Sequence, residues 1–251
     1  MNTLLFPITG GLAGATLLAA CALAIAQPPV FGKGDAALRH AAADNKTTFL
    51  VFYREWDDAA QAMVRVVQGF TDKHPTKAIT AAVNITEPGE RVLVDRFQIS
   101  RAPMPMVIAV HANGAVTGYF LRTCTEANLA PCLVTPTKAA CMLALQQNRL
   151  VLLCTHQPGA PTLPQAVRDF QADPHFAPRT QVVTVSLADP QEATFFTELQ
   201  LSTTTPTIVF MAPPGVLIGK YAVTASKDEM AKALAAAGKC CNDPNCKHNQ
   251  K

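Results

Sequence analysis

Residues 49–63 read FLVFYREWDDAAQAM, and the fold turns on how this stretch changes character. The run FLVFY has the length and continuity of a strand buried on both faces. From Asp57 onward the pattern is helical, with Ala60, Met63, Val64 and Val67 spaced along one face. Asp57 and Asp58 stand where a helix begins, and carboxylates there complement its unsatisfied N–H groups. Between strand and helix lies Trp56, the only tryptophan of the chain. Nothing obviously reactive follows it.

The surrounding pattern occurs twice. AVNITEPGERVLVDRFQIS, ending at Ser100, aligns with TVSLADPQEATFFTELQLS, ending at Ser202. At a constant offset of 102, Val83 matches Val185, Pro88 matches Pro190 and Glu90 matches Glu192. After one deletion Pro105 falls on Pro206, Gly114 on Gly215 and Phe120 on Tyr221, and upstream FLVFY (49–53) falls on LVLLC (150–154). Charges, prolines and glycines kept in register identify a duplicated domain. Each copy runs strand, helix, strand, helix, then a β-hairpin (turning at Asn113-Gly114 in the first) and a closing helix. For the first copy the closing helix is predicted within residues 135–148. The class is α/β, with a mixed central sheet flanked by helices in each copy.

This order, with a proline just before the hairpin, resembles the thioredoxin fold. The local match is Glu55-Trp56-Asp57-Asp58-Ala59-Ala60-Gln61 against the family's Glu-Trp-Cys-Gly-Pro-Cys-Lys. The resemblance puts Asp57 at the nucleophilic cysteine and Ala60 at the resolving one, and Val51 at the family's buried acid. Thiolate attack on a disulfide needs what these positions lack. The second copy offers His156-Gln157-Pro158-Gly159 at the corresponding turn, with Cys154 as its nearest thiol, and no C-x-x-C. Met104-Pro105 and Thr205-Pro206 are candidates for the family's cis-proline loop, with Pro103 a rival to Pro105. In the family this loop binds extended peptides, although a purely architectural role in setting a tight turn is the favoured reading of a cis-proline. Tandem inactive domains of this kind also occur in relatives of protein disulfide isomerase, where they bind clients.

The expected layout is a signal peptide or membrane anchor over 1–26, thioredoxin-like domains over 33–148 and 149–238, and a Cys-rich tail over 239–251. Residues 3–26 are almost wholly apolar or small, and AIA before Gln27 fits a signal-peptidase site. LAAC ending at Cys21 also fits a lipoprotein box, and the stretch is long enough to stay in a bilayer as an anchor. Each reading places the folded part outside the cytoplasm, in the periplasm or envelope or secreted, where disulfides are permitted.

Eight cysteines are present. Cys124 with Cys132, and Cys141 with Cys154, are possible disulfide partners, or buried apolar thiols. In the tail, Cys240, Cys241, Cys246 and His248 supply ligand types suited to Zn or Cu(I), at a spacing that matches no standard zinc framework. His40, His74, His111 and His175 read as surface residues. Net charge of +3 with 16% charged residues is too mild for nucleic-acid binding. There is no phosphate loop, no G-x-S-x-G and no dinucleotide fingerprint, so no cofactor is expected beyond the tail metal. Together these features point to an exported, non-catalytic module that binds or scaffolds a protein or peptide partner. The alternative is a thiol-disulfide oxidoreductase or metal-binding protein that uses the tail cysteines.

Overall fold

The central strands decide the architecture, because each carries apolar side chains on both faces and needs a layer on either side. The structure is a computed structural model that describes residues 32–159 and 162–238. In chain order its first part contains α1 (Lys33–Ala43), β1 (Thr47–Tyr53), α2 (Asp58–Lys73), β2 (Ala78–Asn84), α3 (Arg91–Phe97), β3 (Met106–Val110), β4 (Val116–Leu121) and α4 (Glu126–Leu129). The second part contains α5 (Pro136–Gln146), β5 (Leu150–His156), α6 (Gln165–Ala172), β6 (Thr180–Ser186), α7 (Ala193–Glu198), β7 (Thr207–Ala212), β8 (Val216–Ala222) and α8 (Lys227–Ala237).

Two four-stranded sheets result, ordered β2-β1-β3-β4 and β6-β5-β7-β8. In each, the first two strands pair in parallel and the hairpin pairs antiparallel to the central strand. This is a thioredoxin-like arrangement twice over. Strand alternation sorts the core into layers. Phe49 and Val51 of β1 face Met63, Val67 and Phe70 of α2, whereas Leu50 and Phe52 face Leu93 and Val94 of α3. In the second sheet Val151 and Leu153 pack with α5 and α7, while Leu150, Leu152 and Cys154 pack with α6 and α8.

Two sequence-based alignments change. Helix α5, read as the close of the first copy, places Cys141, Ala144 and Leu145 in the apolar layer with Val151 and Leu153. It is the counterpart of α1. The first copy closes instead with the short α4 and a 3-10 turn (Ala130–Cys132), which set Leu129 and Cys132 against the α2 layer. The upstream strand match also moves by two residues. Phe49 lies opposite Ala109 and Leu152 opposite Phe210, while Ala109 and Phe210 pair with Gly118 and Gly219. Phe49 is therefore the equivalent of Leu152, and Val51 of Cys154. A slip of two preserves which face each side chain takes, so hydrophobicity alone cannot detect it.

The repeated glutamates have a structural role that the sequence match did not reveal. Glu90 and Glu192 are each only 2% exposed. Glu90 Oε1 accepts the Gly34 N–H of the first turn of α1 at 3.3 Å, and Glu192 Oε1 accepts the Thr137 N–H of the first turn of α5 at 2.9 Å. A carboxylate at a helix N-terminus satisfies an orphan donor and meets the positive end of the dipole. Gly32 and Gly34 make room for it, since a Cβ at Gly32 would collide with the Glu90 carboxylate. At Gly34 a Cβ would stand 2.5 Å from Leu93 Cδ1 and 2.7 Å from Val83 Cγ2. In an open helix Gly→Ala stabilises by up to about 1 kcal/mol. Here Gly34→Ala is expected to cost about 1–3 kcal/mol through overpacking, read as a lower urea midpoint at unchanged slope. A raised midpoint would show that α1 is not held this close.

Candidate functional site

The junction between β1 and α2 builds one wall of a shallow hollow. Asp57 is the N-cap of α2, with Oδ1 accepting the Ala60 N–H at 2.8 Å. Ala60 itself is buried in the domain core. Trp56 is 51% exposed, stands edge-on to Tyr53 with ring centroids 4.9 Å apart, and its carbonyl accepts from the Gln61 amide at 3.3 Å. The opposite wall is the loop before β3, where the Met104–Pro105 bond is cis. The hollow encloses about 390 Å³ between Tyr53, Arg54, Asp57, Met104, Pro105 and Arg122.

The main chain of this loop is only partly committed. The Pro105 carbonyl accepts the Arg122 N–H at 2.8 Å, and the Ser100 carbonyl accepts from Arg54 Nη2 at 3.2 Å. The Met104 N–H and C=O have no hydrogen-bond partner among the described residues. Arg54 and Arg122 were not singled out in the sequence. Arg122 reaches the site because the hairpin register sets Leu121 opposite Met106, a pairing that no local motif announces.

The second copy is different. The Thr205–Pro206 bond is not cis, and the cis bond there lies in the hairpin turn, at Pro213–Pro214. Side chains fix the approach to β7 instead. Thr155 Oγ1 accepts the Thr207 N–H at 2.8 Å and donates to the Thr207 carbonyl at 3.2 Å, while Ser202 Oγ accepts from the Thr204 and Thr205 N–H groups. Gln157 Nε2 donates to the Thr204 carbonyl at 2.6 Å. The equivalent loop is thus occupied by its own chain, and the strand equivalence puts Gly159 where the first copy has Trp56.

Of the two readings of the cysteines, free thiols are what the described residues show, at Cys124, Cys132, Cys141 and Cys154. Cys141 and Cys154 lie in layers on opposite faces of the second sheet and cannot meet. Cys132 is turned into the core over Gly118, where a Cβ would come within 2.5 Å of its sulfur. Burial pushes the thiol of Cys124 up, Cys132 up to about 11, and Cys154 up to about 12. Cys141 also reaches about 12, from burial and then the Glu192 charge. Reactive thiols need the opposite shift.

His111 is buried rather than on the surface, at 8% exposure, because it follows the innermost hairpin strand β3 and its N–H is bonded to the Ala115 carbonyl at 2.8 Å. The candidate metal ligands Cys240, Cys241, Cys246 and His248 lie outside the described residues, as do Cys21 and the 1–26 segment. Among the described residues no group of three or more His, Cys, Asp or Glu is placed to hold a metal, and no helix is long and apolar enough to cross a membrane.

Among solved structures the chain is similar to Deadhead, the germline-specific thioredoxin of Drosophila melanogaster. That match has 23% identity and a TM-score of 0.32, and covers 41% of this chain and 92% of that one. It is also similar to thioredoxin O2 of Arabidopsis thaliana at 17% identity and TM-score 0.31, covering 40% and 87%. For mitochondrial thioredoxin 3 of Saccharomyces cerevisiae the values are 12% and 0.30, covering 38% and 83%. No family model and no curated protein matches the sequence. The class is defined by strand order and connections: a thioredoxin-like fold, present in two copies.

Asp57 therefore acts on α2 as a cap. Asp57→Ala is expected to lower stability by about 1 kcal/mol while Asp57→Asn keeps most of it, measured by urea unfolding. Equal stability of all three proteins would remove the capping role.

Proposed function

We propose that the chain is a redox-inactive thioredoxin-fold protein that binds an extended segment of a protein partner in the hollow of its first copy. The observation that carries this reading is the uncommitted Met104 main chain at a hollow whose opposite wall includes Tyr53, the ring that the half-exposed Trp56 stands against. An extended peptide can pair with such groups while an aromatic ring covers its side chains. Asp57 and Ala60 leave no dithiol at the helix start, and the sequence holds no C-x-x-C. The apolar stretch over residues 3–26 supports a place outside the cytoplasm, either free after cleavage or held at the membrane.

Binding is tested with the full chain and the reduced, alkylated B chain of insulin carrying a fluorescent label. Saturable anisotropy is expected, and Trp56→Ala should weaken it by roughly 2 kcal/mol, as for a central aromatic anchor. No saturable binding, or equal binding by Trp56→Ala, would overturn the reading.

A further inference from the structure

At the other end of the first sheet, where β1 begins, a second and larger crevice of about 600 Å³ opens against α5 and α7. Asn45, Thr47, Lys77 and His111 line it from the first copy, and Lys138 and Glu198 from the second. The volume is within the range of small-molecule sites. Its lining is rich in donors.

Three neighbouring groups there have spare capacity. Thr47 N–H is bonded to the Lys77 carbonyl at 2.8 Å, and the β1–β3 register, which sets Thr48 opposite Val110, brings His111 beside Thr47. The Thr47 hydroxyl and the Lys77 ammonium have no partner among the described residues. His111 Nδ1 accepts the Asn113 N–H at 3.3 Å, which in the neutral ring leaves the proton on Nε2, a nitrogen with no partner among the described residues. The Asn113 Oδ1 at 3.2 Å is an acceptor ready for Nδ1 once the ring is charged. The charged groups facing His111 across the crevice are Lys77, Lys138 and Glu198. Lys138 Nζ and Glu198 Oε2 neutralise each other at 2.6 Å, so the uncommitted charge is that of Lys77.

We propose that this crevice binds a small oxyanion, a phosphate-like or carboxylate group, between His111 Nε2, the Thr47 hydroxyl and the Lys77 ammonium. A cation would find no free carboxylate, and an apolar ligand would strand the buried Thr47 and His111 donors. An oxyanion satisfies all three through charge-assisted hydrogen bonds. All three groups belong to the first copy, with α5 and α7 of the second forming the facing wall, and the crevice is separate from the peptide hollow at the opposite end of β1.

Proton linkage makes the site measurable. Burial holds His111 below its usual value, against the smaller upward effect of the Asn113 hydrogen bond. An adjacent anion favours the charged ring and raises it. Binding therefore takes up a proton, and affinity rises as pH falls through the His111 titration.

The test is an NMR pH titration of the imidazole signals of the full chain in chloride, sulfate or acetate at matched ionic strength. His111→Gln assigns the resonance. Sulfate or acetate is expected to raise the His111 midpoint saturably above its value in chloride. The stronger of the two identifies a phosphate-like or a carboxylate ligand. Lys77→Met should weaken that binding about tenfold, the loss of one charge-assisted hydrogen bond, while Lys232→Met on exposed α8 leaves it unchanged. If neither anion moves His111 beyond chloride, or if Lys77→Met binds like the unsubstituted chain, there is no oxyanion site. Because Lys77 has a free side chain, its variant carries the test even if His111→Gln fails to fold.

Discussion

Strand β1 presents Phe49 and Val51 to one side and Leu50 and Phe52 to the other, all four fully buried. Everything else answers that demand. A strand apolar on both faces must be covered twice, so α2 and α4 close one side while α1 and α3 close the other. β5 imposes the same condition on the second sheet, with α5 and α7 opposite α6 and α8. Crossover helices then follow from the parallel β1–β2 and β5–β6 pairs, which no tight turn can join. The buried glutamates finish the construction by tying α3 to α1 and α7 to α5 through a first-turn N–H in each copy.

On that shared frame the two copies differ at the C-terminal ends of β1 and β5. In the first copy the helix start is capped by Asp57, and the facing loop leaves the Met104 main chain without a partner among the described residues. In the second, Gln157, Ser202 and Thr155 consume the equivalent polar groups, and the strand equivalence leaves no aromatic there. The asymmetry is chemical rather than topological, since both sheets have the same order and pairing. The proposed binding therefore belongs to the first copy. The inter-copy contact is made partly by Gln146, whose amide meets both the N–H and the carbonyl of Val116 on the edge strand β4. An edge met in this way is less available for pairing with other chains.

Much of this was legible in the sequence for a physical reason: continuous apolar runs and prolines in register report burial and backbone geometry directly. FLVFY, the capping aspartates and the Asn113-Gly114 turn, with Gly114 at φ +92°, all carry local signals. What was not legible depends on long-range placement. Helix α5 could have closed the first copy or opened the second, because an apolar stripe does not name the sheet it will cover. Thr205-Pro206 looked equivalent to Met104-Pro105 until the Thr155 hydroxyl was seen to fix the strand that follows. Cys141 and Cys154 are close in sequence, but the second sheet lies between them. His111 is polar and flanked by a turn, so only the register of β3 against β1 shows that it is buried. The Glu90 and Glu192 match was visible, yet nothing in it said that both carboxylates were inside.

The proposal that this thioredoxin-like frame works without redox chemistry has a direct test. The most direct measurement is the turbidity of insulin reduced by dithiothreitol, with and without the full chain. The rate of dithiothreitol alone is expected, since the start of α2 carries Asp57 and Ala60 rather than thiols and burial suppresses the thiolates of Cys124, Cys132, Cys141 and Cys154. A catalytic acceleration proportional to added protein would contradict it, and would return this chain to the oxidoreductases.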